Sequence, residues 1–139
     1  MNSTINSESS RAAIKVLVAE DNPTNLRIAQ LTLKPLISGF DSAENGLLAF
    51  EKFKANSYDI IFMDVHMPVM DGYEATRKIR VFEAENHLTP VKIVAMTSSV
   101  MDEDEELCIN CGMDKYLSKP FSREDLIQIF EKLNLNKEG

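Results

Sequence analysis

Two cysteines in 139 residues are too few for the disulfide framework on which small secreted domains rely. No apolar run approaches the roughly 20 residues that a membrane-spanning helix requires. The amino terminus, M-N-S-T-I-N-S-E-S-S, has neither the basic segment nor the apolar stretch of a secretory signal. The Asn2-Ser3-Thr4 triplet is therefore not read as a glycosylation site. Cations are in the minority, 15 Lys and Arg against 22 Asp and Glu. The resulting net charge of −7 argues against a general affinity for nucleic acid or an anionic membrane. No internal repeat, linker or second domain is visible. Together these absences predict one cytoplasmic domain, long enough to bury a core without staples.

What is present is a regular alternation of short apolar runs and helical spacings. Residues 1–12 are polar and are expected to be a disordered tail; 13–135 form the domain and 136–139 a second tail. Strands are expected at 14–19, 39–43, 60–63, 91–96 and 115–118, from β-branched or unbroken apolar runs. Asn22-Pro23 opens the first helix, with Leu26, Ala29 and Leu33 inward and Pro35 as its stop. Asn45-Gly46 opens the second, with Leu47, Phe50 and Phe53 on its apolar face. Ala75, Ile79 and Phe82 mark the third, after Asp71-Gly72, which reads as turn chemistry. The fourth runs from about Val100 to Cys111, its acidic start suited to the helix dipole and Gly112 at its C′ position. Ser122 and Asp125 begin the fifth, with Leu126, Ile129, Phe130 and Leu133 inward. Five βα units in sequence imply a parallel sheet with helices on both faces, a doubly wound α/β sandwich.

The chemistry lies just past the strands. Glu20 and Asp21 follow the first, Asp64 the third, Thr97 the fourth and Lys119 the fifth. In an open parallel sheet these positions share one edge. Clustered carboxylates repel unless a cation sits among them, and hard oxygen ligands beside a hydrated site suit Mg²⁺. Lys119 and Thr97 offer a point charge and a hydroxyl donor for a phosphoryl group. Metal, phosphate ligands and a strand-end Asp together point to an aspartyl-phosphate nucleophile.

The segments V-A-E-D-N-P-T-N, M-D-V-H-M-P-V-M-D-G-Y-E-A-T, I-V-A-M-T and G-M-D-K-Y-L-S-K-P-F occur in this order. They resemble the motifs of response-regulator receiver domains of two-component phosphorelays, over roughly residues 14–133. These versions look most like receivers attached to hybrid sensor histidine kinases. The resemblance implies a flavodoxin-like (βα)5 sandwich with strand order 2-1-3-4-5. It implies that Asp64 is the phosphoacceptor, and that Asp21 is a direct Mg²⁺ ligand with Glu20 acting mainly through water. The backbone carbonyl of His66 would complete the protein ligands. Thr97 and Lys119 would each bind a phosphoryl oxygen, Lys119-Pro120 would be a cis peptide, and Tyr116 would turn inward as Thr97 moves. The surface of the fourth helix, fifth strand and fifth helix would then change its affinity for partners. A histidine kinase or histidine phosphotransfer protein would be the phosphodonor, and a homodimer could form through that surface. Ser98 departs mildly from the frequent Ala, and Pro35 falls on the surface where many kinases dock. His66 and Ser99 would tune the lifetime of the phosphorylated state.

Some of these residues also admit blander roles. Thr97 alone could cap a helix, and Tyr116 could simply pack on an edge strand. Cys108 and Cys111 spell C-I-N-C, but zinc needs two further soft ligands that His66 and His87 are badly placed to give. At a helix C-terminus the dipole also opposes a thiolate, so both are expected to pack the fourth helix. Two other functional classes are a binding-only pseudo-receiver and a phosphohydrolase. The intact acid pair, acceptor, hydroxyl and lysine argue against the first. His66, where many such hydrolases carry a second Asp, argues against the other. The sequence ends soon after the fifth helix without an output domain, which fits either action through protein contacts alone or a domain of a larger kinase.

Overall fold

The computed structural model describes residues 13–98 and 102–135, with 102–104 given by backbone alone. Strands and helices alternate: β1 (Val16–Ala19), α1 (Pro23–Leu33), β2 (Phe40–Ala43), α2 (Gly46–Ala55), β3 (Ile60–Asp64), α3 (Gly72–Glu85), β4 (Lys92–Thr97), α4 (Asp102–Cys111), β5 (Lys115–Ser118) and α5 (Arg123–Lys132). Every strand pair is parallel, and the order across the sheet is β2-β1-β3-β4-β5. The expected doubly wound sandwich is therefore present. The two expected tails, Ser99 and the start of the fourth helix at Val100 lie outside the described residues. Among the described residues, no helix is long and apolar enough to cross a membrane.

Strand alternation divides the core in two. Val16, Val18, Ile60, Phe62, Val94 and Met96 face α1 and α5, whereas Leu17, Ala19, Ile61, Met63, Ile93 and Ala95 face α2, α3 and α4. Every residue of β1 and β3 is buried, which explains why their sequences show no polar alternation. On the first side Phe62 stacks on Phe121 at 6.2 Å and meets Phe130 edge-on at 6.4 Å. On the second, the free thiols of Cys108 and Cys111 are buried. Cys111 Sγ donates to the Cys108 carbonyl at 3.2 Å, and burial pushes the Cys111 thiol pKa up. Both cysteines therefore pack α4, as expected.

Most helix boundaries fall where the sequence put them. Asn22, Asn45 and Ser122 are N-caps, and Ser122 forms a full capping box with Asp125. α1 stops at Leu33, after which Leu36 and Ile37 turn inward. Asp71 is better described as the N-cap of α3 than as a simple turn residue, since it accepts from the Glu74 amide at 2.8 Å. Leu47 does not lie on the inner face; it is 40% exposed. α2 instead buries Gly46, Ala49 and Phe53, a stripe that leaves Leu47 to one side. β4 begins and ends one residue later than expected, so Thr97 is its last residue. β1 begins only at Val16, although Ile14 is buried.

The amino-terminal edge of the sheet is tied by one side chain. Arg80 Nε donates to the Gly112 carbonyl at 2.9 Å. Its Nη1 reaches Glu83 Oε1 at 2.7 Å and the Val91 carbonyl at 2.8 Å. Its Nη2 reaches Asp114 Oδ2 at 3.1 Å. Glu83 and Asp114 in turn accept from the Val91 and Ile93 amides. Gly112, at φ +107, lets the chain pass close to Arg80; a Cβ there would lie 2.9 Å from Arg80 Cγ. Replacing Arg80 by Ala strands the buried Glu83 carboxylate. The expected loss of stability is about 2–4 kcal/mol by urea denaturation. Arg80→Lys is expected to recover little, because one ammonium cannot serve four acceptors in a planar fork.

Candidate functional site

Strand register assembles the opposite edge. β1 and β3 pair Ala19 with Met63, so the next residue of each, Glu20 and Asp64, are neighbours. β4 and β5 pair Thr97 with Ser118, and the following Lys119 amide donates to the Thr97 carbonyl at 2.7 Å. The Lys119–Pro120 peptide is cis, as the family resemblance implied.

Lys119 Nζ lies between two carboxylates, 2.6 Å from Glu20 Oε1 and 3.0 Å from Asp64 Oδ2. The remaining oxygens accept from the backbone. The Asn22 amide donates to Glu20 Oε2 at 3.1 Å, and the His66 amide to Asp64 Oδ1 at 3.2 Å. Glu20 and Asp64 are 2% and 5% exposed, while Asp21 is exposed. Each of these three acids offers a carboxylate oxygen, all within 4.8 Å of one another. A donor set of three hard oxygens, one open to water, fits Mg²⁺. Thr97 is buried at the end of β4. Tyr116 is half-buried on the edge strand and packs against the core side formed by α2, α3 and α4. The side chains of His66 and Ser98 are exposed. Beside the acids, a cavity of about 310 Å³ is lined by Glu20, Ile28, Ala29, Met96, Lys119 and Phe121, among others.

The residues singled out from the sequence as acid pair, acceptor, hydroxyl and lysine thus meet at one edge. The sequence did not disclose the backbone half of the site. Amide donors carry no side-chain signal, and those of Asn22 and His66 were missed for that reason. The tight seating of Gly46 was missed too, although a glycine directly after a helix cap could have flagged it.

Burial pushes the Glu20 carboxyl above its usual range. The Lys119 bond pulls it back only in part, and the adjacent Asp64 carboxylate adds to the rise. For Lys119, burial works against the charge, but its bonds to Glu20 and Asp64 outweigh burial and hold the ammonium pKa up. A carboxyl raised on folding favours the folded state on the acid side, and that contribution fades as pH climbs through the raised value. Lys119→Met removes the counter-charge and leaves two buried carboxylates facing each other. Stability at pH 7 is expected to drop by about 2–3 kcal/mol, and the deficit should shrink at lower pH, because protonation of Glu20, already favoured by burial, relieves the repulsion. A deficit that is the same at pH 7 and at lower pH in urea titrations would contradict this account of the cluster.

Comparison with known proteins agrees with this geometry. Residues 16–131 match the family model described as the response regulator receiver domain. The chain is 40% identical over 124 residues to the sensor histidine kinase GacS of Pseudomonas protegens, covering 89% of this chain and 13% of that protein. It is 39% identical over 125 residues to hybrid signal transduction histidine kinase L of Dictyostelium discoideum, covering 88% and 7%. It therefore spans only a small part of these relatives. Among solved structures, the receiver domain of a Pseudomonas aeruginosa sensor histidine kinase, with magnesium coordinated in its active-site cleft, superposes with a TM-score of 0.78. It shares 35% identity, over 91% of this chain and 100% of that one. A receiver domain of a Saccharomyces cerevisiae response regulator, co-crystallised with a histidine phosphotransfer protein, also gives 0.78. There the identity is 36%, over 85% and 87% of the two chains. With its motifs, its strand order and its acid–lysine edge in agreement, the chain belongs to the response-regulator receiver family.

Proposed function

We propose that residues 13–135 are a phosphoryl-accepting switch in which Asp64 takes a phosphoryl group from a phosphohistidine. The observation that carries this reading is the Lys119 ammonium shared between Glu20 and Asp64. The donor is a histidine kinase or histidine phosphotransfer protein, and the action is cytoplasmic. An Asp64 carboxylate oxygen attacks phosphorus, forming an O–P bond as the N–P bond breaks. The imidazole leaves with the electron pair and takes a proton from solvent. Asp21, Asp64 and the His66 carbonyl would hold Mg²⁺, with Glu20 acting through water, and the ion would supply positive charge to the phosphoryl oxygens. That division of labour is supported by Glu20, whose two oxygens are already engaged, and by Asp21, which is exposed. Lys119 moves its bond from Asp64 to a phosphoryl oxygen, and the Thr97 hydroxyl donates to another. Drawing Thr97 toward the phosphoryl group repacks its neighbourhood, Tyr116 turns inward, and the surface of α4, β5 and α5 changes its affinity for a partner or a second copy of the chain. Slow hydrolysis of the acyl phosphate returns Asp64 to its starting form, at a rate tuned by the His66 and Ser99 side chains.

The decisive measurement is intact mass after incubation with acetyl phosphate and Mg²⁺. Wild type should gain one phosphoryl group, and Asp64→Asn or added EDTA should abolish the gain. A wild-type protein that accepts from neither acetyl phosphate nor a phosphohistidine donor would instead be a binding-only module. Thr97→Val keeps the volume but loses the hydroxyl. It should still be phosphorylated, while the phosphorylation-dependent change in partner affinity disappears.

A further inference from the structure

We propose that Gly46, the first residue of α2, is a positioning residue for the metal-binding loop. Its missing side chain lets the helix N-terminus hold the Met70 carbonyl and so fixes the chain that carries the His66 carbonyl. The inference rests on the proposed reading of His66 as a backbone ligand.

The loop between β3 and α3 is held at both its ends. At the close, the Gly72 amide donates to the Val65 carbonyl at 3.1 Å. Gly72 lies so near the acceptor that a Cβ would fall 2.2 Å from the Asp64 carbonyl oxygen and 3.0 Å from Met63 Cγ. Just before it, the Gly46 amide donates to the Met70 carbonyl at 2.9 Å. A Cβ on Gly46 would lie 2.3 Å from the Met70 oxygen and 2.9 Å from the Asp71 oxygen. Real side chains do not approach backbone oxygens so closely, so any other residue must push α2 and the loop apart. The Gly46 amide belongs to the first turn of a helix, where donors have no partner within the helix. The loop carbonyl satisfies it.

Between these anchors the loop is strained. The Met70 amide donates to the Pro68 carbonyl at 2.7 Å, closing a three-residue turn around Val69. Val69 has φ +70 and is 76% exposed. A β-branched residue in this region is unfavourable, and so is a turn of this hand. Such a conformation persists only where its surroundings over-determine it. The Gly46–Met70 bond is a contact that does so from outside the loop. It thereby links α2, which offers none of the proposed ligands, to the position of the His66 carbonyl.

The test compares the full chain with Gly46→Ala and with Ala49→Gly, a variant that also destabilises α2 but leaves the contact intact. The readout is the Mg²⁺ dissociation constant by calorimetry, at a temperature where urea titration shows each protein to be folded. Gly46→Ala should weaken Mg²⁺ binding on the order of tenfold, the scale seen when supports of metal ligands are removed. Ala49→Gly should leave it unchanged. If Gly46→Ala does not fold, Asn45→Ala serves instead. It removes the cap bond to the Leu48 amide, loosens the same turn, and should weaken binding in the same direction. Wild-type affinity in the folded glycine variant, or in the cap variant when the other is unfolded, overturns the inference. Absence of Mg²⁺ binding by wild type, or binding that survives Asp21→Asn, would overturn the ligand assignment on which it rests.

Discussion

A single ammonium set between two buried carboxylates holds the reactive edge together. A third acid stands close by. Removing charged groups from water is costly, and like charges at this range multiply the cost. The edge is tolerable because every oxygen of Glu20 and Asp64 has a donor: Lys119 on the inner side and a backbone amide on the other. The arrangement still carries an excess of negative charge. That imbalance suits the edge to a divalent cation.

The sheet explains how groups from the ends of four strands come to share so small a volume. Parallel strands in register end together, so the last residues of β3 and β4 and those directly after β1 and β5 reach the same edge. Regular pairing at Ala19–Met63 and Thr97–Ser118 sets the spacing more firmly than loops could. The other end of the sheet has the opposite character. There Arg80 gathers the ends of α3 and α4 and the beginnings of β4 and β5 into one network in which charges are matched. One end concentrates carboxylates in excess of their cation, and the other matches its charges.

Much of this was legible in the residues. The unbroken run at 60–63 announced a strand buried on both faces, and Asp64, Glu20, Asp21, Thr97 and Lys119 announced their edge by following such runs. Caps at Asn22, Asn45 and Ser122 were readable because each has a local chemical cause. Other features depend on contacts between distant segments and leave no local trace. Leu47 looked inward by periodicity, but the buried stripe of α2 runs through Gly46, Ala49 and Phe53, with Gly46 seated against Met70. Asp71 looked like turn chemistry because a cap and a turn favour the same residue types. The reach of Arg80 across four elements depends on tertiary geometry, and nothing in its neighbours foretold it.

The two thiols under α4 make that helix its own probe. Cys108 and Cys111 are 3% and 6% exposed, and the pKa of the latter is raised by burial. An alkylating reagent meets a reactive thiolate only when the helix lifts from the sheet. Labelling rates at these positions therefore report on the opening of α4, on the native sequence and without an inserted dye. Under rapid reclosing those rates report the free energy of that local detachment, apart from global unfolding.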